Sequence, residues 1–129
     1  ANVLTGATEQ VDGGVKVRVD GGARFALAGD ALAAAGQSRG PVTVMVRAEH
    51  LQVAEPGSKM PNAFTAKVTE RLFLGDKVRY ELALPSSETR LTAMTSIAEG
   101  KFAVGDAVEV TADPAYVRVI GEASPGTAA

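Results

Sequence analysis

The sequence predicts an all-β fold built from two pseudo-repeated halves of about five short strands each, with minimal helix. Three observations predict it. Apolar residues alternate with polar ones over short runs, which is the period of a half-buried strand. Gly, Pro, Asp and Ser cluster between those runs, where tight turns need them. The stretch Val42–Val53, VTVMVRAEHLQV, also has an echo 66 positions on in Val108–Val119, VEVTADPAYVRV, so one strand, corner, strand unit occurs twice.

Taken in order, Asn2 to Val11 leads to a hairpin turn at Asp12-Gly13-Gly14, since Gly accepts the positive φ of a tight turn. Val15, Val17 and Val19 form one face of the next strand. Asp20-Gly21-Gly22 then returns the chain through Phe25 and Leu27, completing a three-strand meander. Ala31 to Ala35 has helix propensity but is too short for more than about one turn. Gly40-Pro41 opens the strand Val42–Val46, and Arg47-Ala48-Glu49-His50 makes the corner into Leu51–Ala54.

Residues 55–61, with their Pro-Gly-Ser-Lys composition, read as a linker between a first half, 1–54, and a second, 62–120. In the second half Asn62-Ala63-Phe64-Thr65 resembles Asn2-Val3-Leu4-Thr5 at an offset of 60, which places an insertion between Gly75 and Gly105. Alternation puts Val68, Leu72 and Leu74 inward and Phe73 outward. Gly75-Asp76 turns the chain into Val78, Tyr80, Leu82 and Leu84. Leu91, Ala93 and Ile97 mark a frayed strand, and Gly105-Asp106 sets up the last pair. Residues 121–129 carry no large apolar side chain and read as a disordered tail. Five short strands per half suit a small OB-like barrel, and closure of such barrels removes free sheet edges.

Composition narrows the function. At 129 residues the chain is about one domain, large enough to bury a core without staples. It has no cysteine, so disulfides, thiol catalysis and thiolate metal sites are excluded. Thirteen basic against fifteen acidic residues give a net charge of -2, with no dense run of either sign to attract a polyanion. No apolar run approaches the ~20 residues of a membrane-spanning helix. The first residues, Ala-Asn-Val-Leu without an initiator Met, suggest a fragment of a longer protein.

Four motifs in order then carry a resemblance. Asn2-x-Leu4-x-Gly6, the Val46-Arg47-Ala48-Glu49-His50-Leu51 corner, Phe73-Leu74-Gly75-Asp76 followed by Val78-Arg79-Tyr80, and Gly105-Asp106 with Asp113-Pro114 resemble the TOBE-type C-terminal regulatory domain of bacterial ABC importer ATPases of the polyamine, ferric-iron and sugar type. The resemblance covers Ala1 to about Gly121. It implies a non-catalytic regulatory and dimerisation domain at the inner face of the cell membrane. Its partners would be a second copy of the subunit, the nucleotide-binding domain of the parent chain and, indirectly, the permease subunits. It also implies that ATP and Mg would bind that absent domain, leaving no cofactor here. Ala48 departs from the family pattern, which has proline between the arginine and the glutamate, and so predicts a looser corner.

No phosphate-wrapping Gly-x-x-x-x-Gly-Lys-Ser/Thr loop is present in the sequence, so the chain is not expected to hydrolyse ATP. The turn glycines precede no helix whose dipole would hold phosphate. One His and no Cys make no metal site, and the acidic residues are dispersed. Arg47, Glu49 and His50 either tie off backbone groups at the corner or face a partner subunit or small anion. Phe73, Leu74, Gly75 and Arg79 are the candidate interface at a hairpin tip, with burial between barrels as the alternative for Phe73. For a small-ligand or oxyanion sensor, the candidate donors are Thr43, Ser96 and Lys101 beside Arg47. An OB-like shape also permits single-stranded nucleic acid, but four Phe, two Tyr and no Trp on an acidic chain make a poor stacking groove.

Overall fold

A computed structural model describes residues 2–11, 14–29, 40–85, 87–99 and 102–121. Ten strands follow one another: β1 (Asn2–Val11), β2 (Gly14–Val19), β3 (Arg24–Ala26), β4 (Pro41–Val46), β5 (Leu51–Ala54), β6 (Phe64–Phe73), β7 (Lys77–Ala83), β8 (Arg90–Ser96), β9 (Ala107–Ala112) and β10 (Arg118–Gly121). Single 3-10 turns at Ala48–His50, Ile97–Glu99 and Pro114–Tyr116 are the helical pieces among the described residues. The predicted turn of helix at Ala31–Ala35, the tip Asp12-Gly13, Lys101 and residues 122–129 lie outside them; Gly121 belongs to β10.

The strands form two antiparallel five-stranded sheets, ordered β10-β4-β1-β2-β3 and β5-β9-β6-β7-β8. The two orders are one pattern. Replacing each strand of the first sheet by the strand five later, or five earlier for β10, gives the second. β5 and β10 therefore each complete the sheet of the opposite half. The register repeats as well: Leu4 faces Val44 where Phe64 faces Val110, and Val44 faces Val119 where Val110 faces Val53. The offsets read in the sequence, 60 for the first strands and 66 for the corners, are the offsets of this pairing.

Alternation supplies one continuous core from both sheets. Val42, Val44 and Val46 are fully buried, as are Val78, Tyr80 and Leu82. Phe25 of β3 meets Phe64 of β6 edge-on at 5.2 Å, which joins the halves. Gly6, of the Asn2-x-Leu4-x-Gly6 motif, is required by close packing: a Cβ there would lie 2.5 Å from the Arg18 carbonyl oxygen. The second sheet curls until its edges, β5 and β8, approach each other, an almost closed small barrel.

Asn2 ties the first sheet to that seam. Its side chain is buried and donates to the Val46 carbonyl at 3.1 Å and the Thr92 carbonyl at 2.9 Å, while its Oδ1 accepts from the Thr92 N–H at 2.7 Å. One amide side chain thus takes the place of a strand partner on the flank of β8 that faces away from β7.

The second half differs from the sequence reading in β6. Leu72 and Leu74 are exposed rather than inward. The register slips between Val68 and Glu70, so Thr69 is the extra residue of a β-bulge and every later side chain changes face. Arg71 and Phe73 now sit opposite Tyr80 and Val78 on the core side, and Leu72 sits opposite Arg79 on the outer side. Ile97 also falls beyond the end of β8 and is exposed.

Candidate functional site

The two corners meet. Arg47 and Asp113 are the residues that start them, both with extended backbone, and each corner closes by the same bond, His50 N–H to the Arg47 carbonyl at 3.0 Å and Tyr116 N–H to the Asp113 carbonyl at 2.9 Å. His50 and Tyr116, equivalent under the 66-residue offset, stack with ring centroids 4.0 Å apart and planes 19° apart. The contact lies where the pseudo-two-fold relation must map each ring on the other. The equivalence of positions 50 and 116 was the signal in the sequence for this contact.

The corners are braced differently. In the second, Asp113 Oδ1 accepts from the Ala115 N–H at 2.9 Å and Pro114 fills the first turn position. The first has Ala48 there and no side-chain cap. Glu49 does other work. Its carboxyl is held below the usual range chiefly by its own backbone N–H, against an opposing effect of desolvation, with Arg47, His50 and Lys77 adding positive charge. The Arg47–Glu49 pair is loose and exposed, at 3.8 Å, and contributes little to stability.

Lys77 links this corner to the β6–β7 hairpin tip. It pairs with Ser96 of β8, so the first corner, the tip and the end of β8 share one end of the molecule. The tip is firmly built. Leu74 N–H donates to the Lys77 carbonyl at 2.8 Å across Gly75, whose φ of 79° demands glycine, and Ile97 N–H donates to the Asp76 carbonyl at 3.2 Å. Arg71 donates to the Phe102 carbonyl at 2.8 Å and lays its guanidinium 5.0 Å from the centre of the Phe73 ring. Even so, Phe73 is 54% exposed and Ile97 53%. Arg79 lies on the outer face 3.8 Å from Glu81, which also accepts from the Thr92 hydroxyl.

The candidate anion donors are not gathered. Thr43 is on β4 of the first sheet, opposite Thr5 and Gly121, whereas Ser96 ends β8 of the second, and Lys101 lies outside the described residues. Elsewhere a cradle of donors exists but holds an internal carboxylate. Glu109 accepts from Gly57 N–H and Ser58 Oγ, each at 3.0 Å, and these donors, aided by the Lys59 N–H, keep its carboxyl low against the opposing effect of desolvation. Together with Thr111 Oγ1, which donates to the Pro61 carbonyl at 2.6 Å, Glu109 pins the segment between the halves onto β9. No group of three or more metal-ligating side chains is found among the described residues.

Comparison with known families decides what this architecture is. The TOBE domain family matches residues 44–120, more than half of the chain, from the middle of β4 to β10. The chain belongs to the TOBE domain family. A TOBE domain is a binding domain rather than a catalytic one, and the match spans both corners and the tip. Among solved structures this TOBE chain is similar to the cytoplasmic molybdate-binding protein ModG in a molybdate-bound form, with a TM-score of 0.75 and 19% identity over 95% of this chain and 96% of that one. At that identity the likeness shows the shared fold. No curated protein sequence matches the chain. No helix among the described residues of the TOBE chain is long and apolar enough to cross a membrane.

Proposed function

We propose that this TOBE chain is the non-catalytic regulatory and dimerisation module of an ABC importer ATP-binding subunit, acting at the inner face of the cell membrane and supporting solute uptake driven by ATP bound elsewhere. The observation that carries the reading is the hairpin tip. Leu72, Phe73, Leu74 and Ile97 are each at least two-fifths exposed, yet the backbone and Arg71 hold the tip in place. A rigid aromatic that leaves more than half of its surface in solvent suits an anchor in a partner surface, here a second copy of the same subunit. Sedimentation of the chain over a wide concentration range tests this. A reversible dimer that Phe73→Ala shifts toward monomer is expected; a strict monomer, or a dimer indifferent to Phe73→Ala, overturns the dimerisation role.

A second reading, sensing of a small oxyanion, is favoured by the likeness to ModG over nearly the whole length of both chains. Thr43 and Ser96 would act as donors in separate places rather than as one site. Titration with molybdate, read by thermal unfolding, tests it: a saturable rise in Tm supports the sensor, since specific binding stabilises the native state, and no rise removes it.

A further inference from the structure

The first sheet ends at β3, and among the described residues no strand lies beyond it. Two bonds fix which way its backbone points. Val19 N–H donates to the Ala23 carbonyl at 2.8 Å and Leu27 N–H to the Val15 carbonyl at 3.0 Å, so Val19 with Ala23, Val17 with Phe25 and Val15 with Leu27 are the hydrogen-bonded pairs. Arg18 opposite Arg24 and Lys16 opposite Ala26 are the alternate, non-hydrogen-bonded pairs. The N–H and C=O groups of Arg24 and Ala26 therefore point away from β2 into the open edge, where a further strand would bond them.

The side chains beside that edge are basic. Val17 and Phe25 are buried, so Lys16, Arg18 and Arg24 lie on the outer face. Arg18 and Arg24 stand directly opposite each other in a pair of the closer kind, an arrangement of like charges that destabilises the sheet unless an anion offsets it. Glu9 supplies one carboxylate, 3.1 Å from Arg24 and a loose 3.8 Å from Arg18, and both arginine side chains remain more than half exposed. Lys16 is opposite Glu9 in register and makes no ion pair among the described residues. Asp20, the next acid along the chain, accepts from the Ser87 hydroxyl instead. Three cations share one carboxylate.

We propose that the β3 edge binds an extended acidic segment of a partner protein as a sixth strand of the first sheet, its backbone on Arg24 and Ala26 and its alternate carboxylates on the Arg18 and Arg24 guanidiniums. Every second side chain of an added strand points to the outer face, which is where the cations are. The charge also chooses the partner. A second copy pairing β3 with β3 would bring another Arg18 and Arg24 against these, so self-addition is repelled while a strand carrying carboxylates is attracted. The edge belongs to the first sheet and the hairpin tip to the second, and neither Thr43 nor Ser96 takes part, so the proposal depends on neither dimerisation nor oxyanion sensing.

The test is an NMR titration of the full chain with end-blocked peptides of about six residues, an ordinary strand length, in which threonine alternates with glutamate, glutamine or lysine. The glutamate peptide is expected to bind saturably and about tenfold more tightly than the glutamine peptide, and the lysine peptide not at all, with the largest shifts in β2 and β3. Hydrogen exchange of the Arg24 and Ala26 amides is expected to slow on binding. The glutamates lie opposite Arg24 and Ala26, so their N–H groups are the donors to β3; N-methylation of the glutamates is expected to abolish binding and N-methylation of the threonines to preserve it. Arg18→Gln with Arg24→Gln, both at exposed positions, is expected to keep the native spectrum and reduce the glutamate peptide to the affinity of the glutamine peptide. No saturable binding, equal affinity for the glutamate and glutamine peptides, indifference to the double substitution or to N-methylated glutamates, or tighter binding of anionic phospholipid vesicles overturns the proposal. The peptide series uses the unaltered chain, so it decides the matter even where the double variant does not fold.

Discussion

The two corners of this protein perform one task with different chemistry. Both turn a strand of one sheet into the end strand of the other, and both place an aromatic ring on the line between the halves. The second corner is locally self-sufficient, with Asp113 capping and Pro114 fixing φ. The first has neither device and instead carries Arg47, Glu49 and His50, three ionisable side chains that the second replaces with Asp113, Ala115 and Tyr116. Where a duplicated fold keeps the geometry but drops the local brace, the freed positions are the ones available for contact with something else. Ala48 stands at the position that Pro114 occupies in the other half.

The same asymmetry is sharper at the starts of the halves. Asn2→Ala removes the partner of three backbone groups at once and is expected to cost about 2–3 kcal/mol by denaturant unfolding. Its counterpart Asn62 sits at φ 58°, a conformation that Asn tolerates and Ala does not, so Asn62→Ala is expected to cost about 1 kcal/mol and Asn62→Gly almost nothing. Equal losses for Asn2→Ala and Asn62→Ala would break the claim that only the first start is a clamp.

At the corners, Asp113→Ala is expected to cost about 1 kcal/mol through loss of the cap, and Arg47→Ala less than half of that. Ala48→Pro should transfer the brace. Arg47 already has the extended backbone that precedes proline, so a gain of about 0.5 kcal/mol in unfolding free energy is expected, mainly from the unfolded chain. A loss on Ala48→Pro would show that the first corner is built to a different shape.

The smallest effect is on pH. Glu49 and Glu109 both have carboxyls held below the ordinary glutamate value of 4.5 in the folded state. Their stabilisation is therefore complete above that value and is lost as pH falls through the lower folded values. Urea midpoints measured from pH 6 downward should show a decline starting near pH 4.5 that Glu109→Gln reduces, with midpoints at pH 6 and above lowered by the same substitution. An unchanged acid limb in Glu109→Gln would mean that the cradle at Gly57 and Ser58 does not hold the carboxylate in solution.

Much of this organisation was legible from residues. Val42, Val44 and Val46 announced a strand with one buried face, and the 66-residue echo announced the second corner in its true register. The exchange of β5 and β10 was not legible, because alternation says which face of a strand is buried and nothing about which neighbour its backbone bonds. The inward faces expected for Leu72 and Leu74 were misread for a related reason. A bulge at Thr69 changes the phase of the strand without any Gly or Pro to mark it. At the site, the nearness of Lys77 to Glu49 arises from a contact between distant segments, which local patterning does not carry.

The exchanged strands also set the order in which the chain can be completed during synthesis. Met45 of β4 waits for Arg118 of β10, made roughly seventy residues later, and until then one flank of β4 stays without its hydrogen-bonding neighbour. No half can finish first. Assembly is expected to be a single late event governed by long-range pairing, slow for a chain of this size, with a newborn first half that needs protection from unwanted strand partners until the last strand emerges.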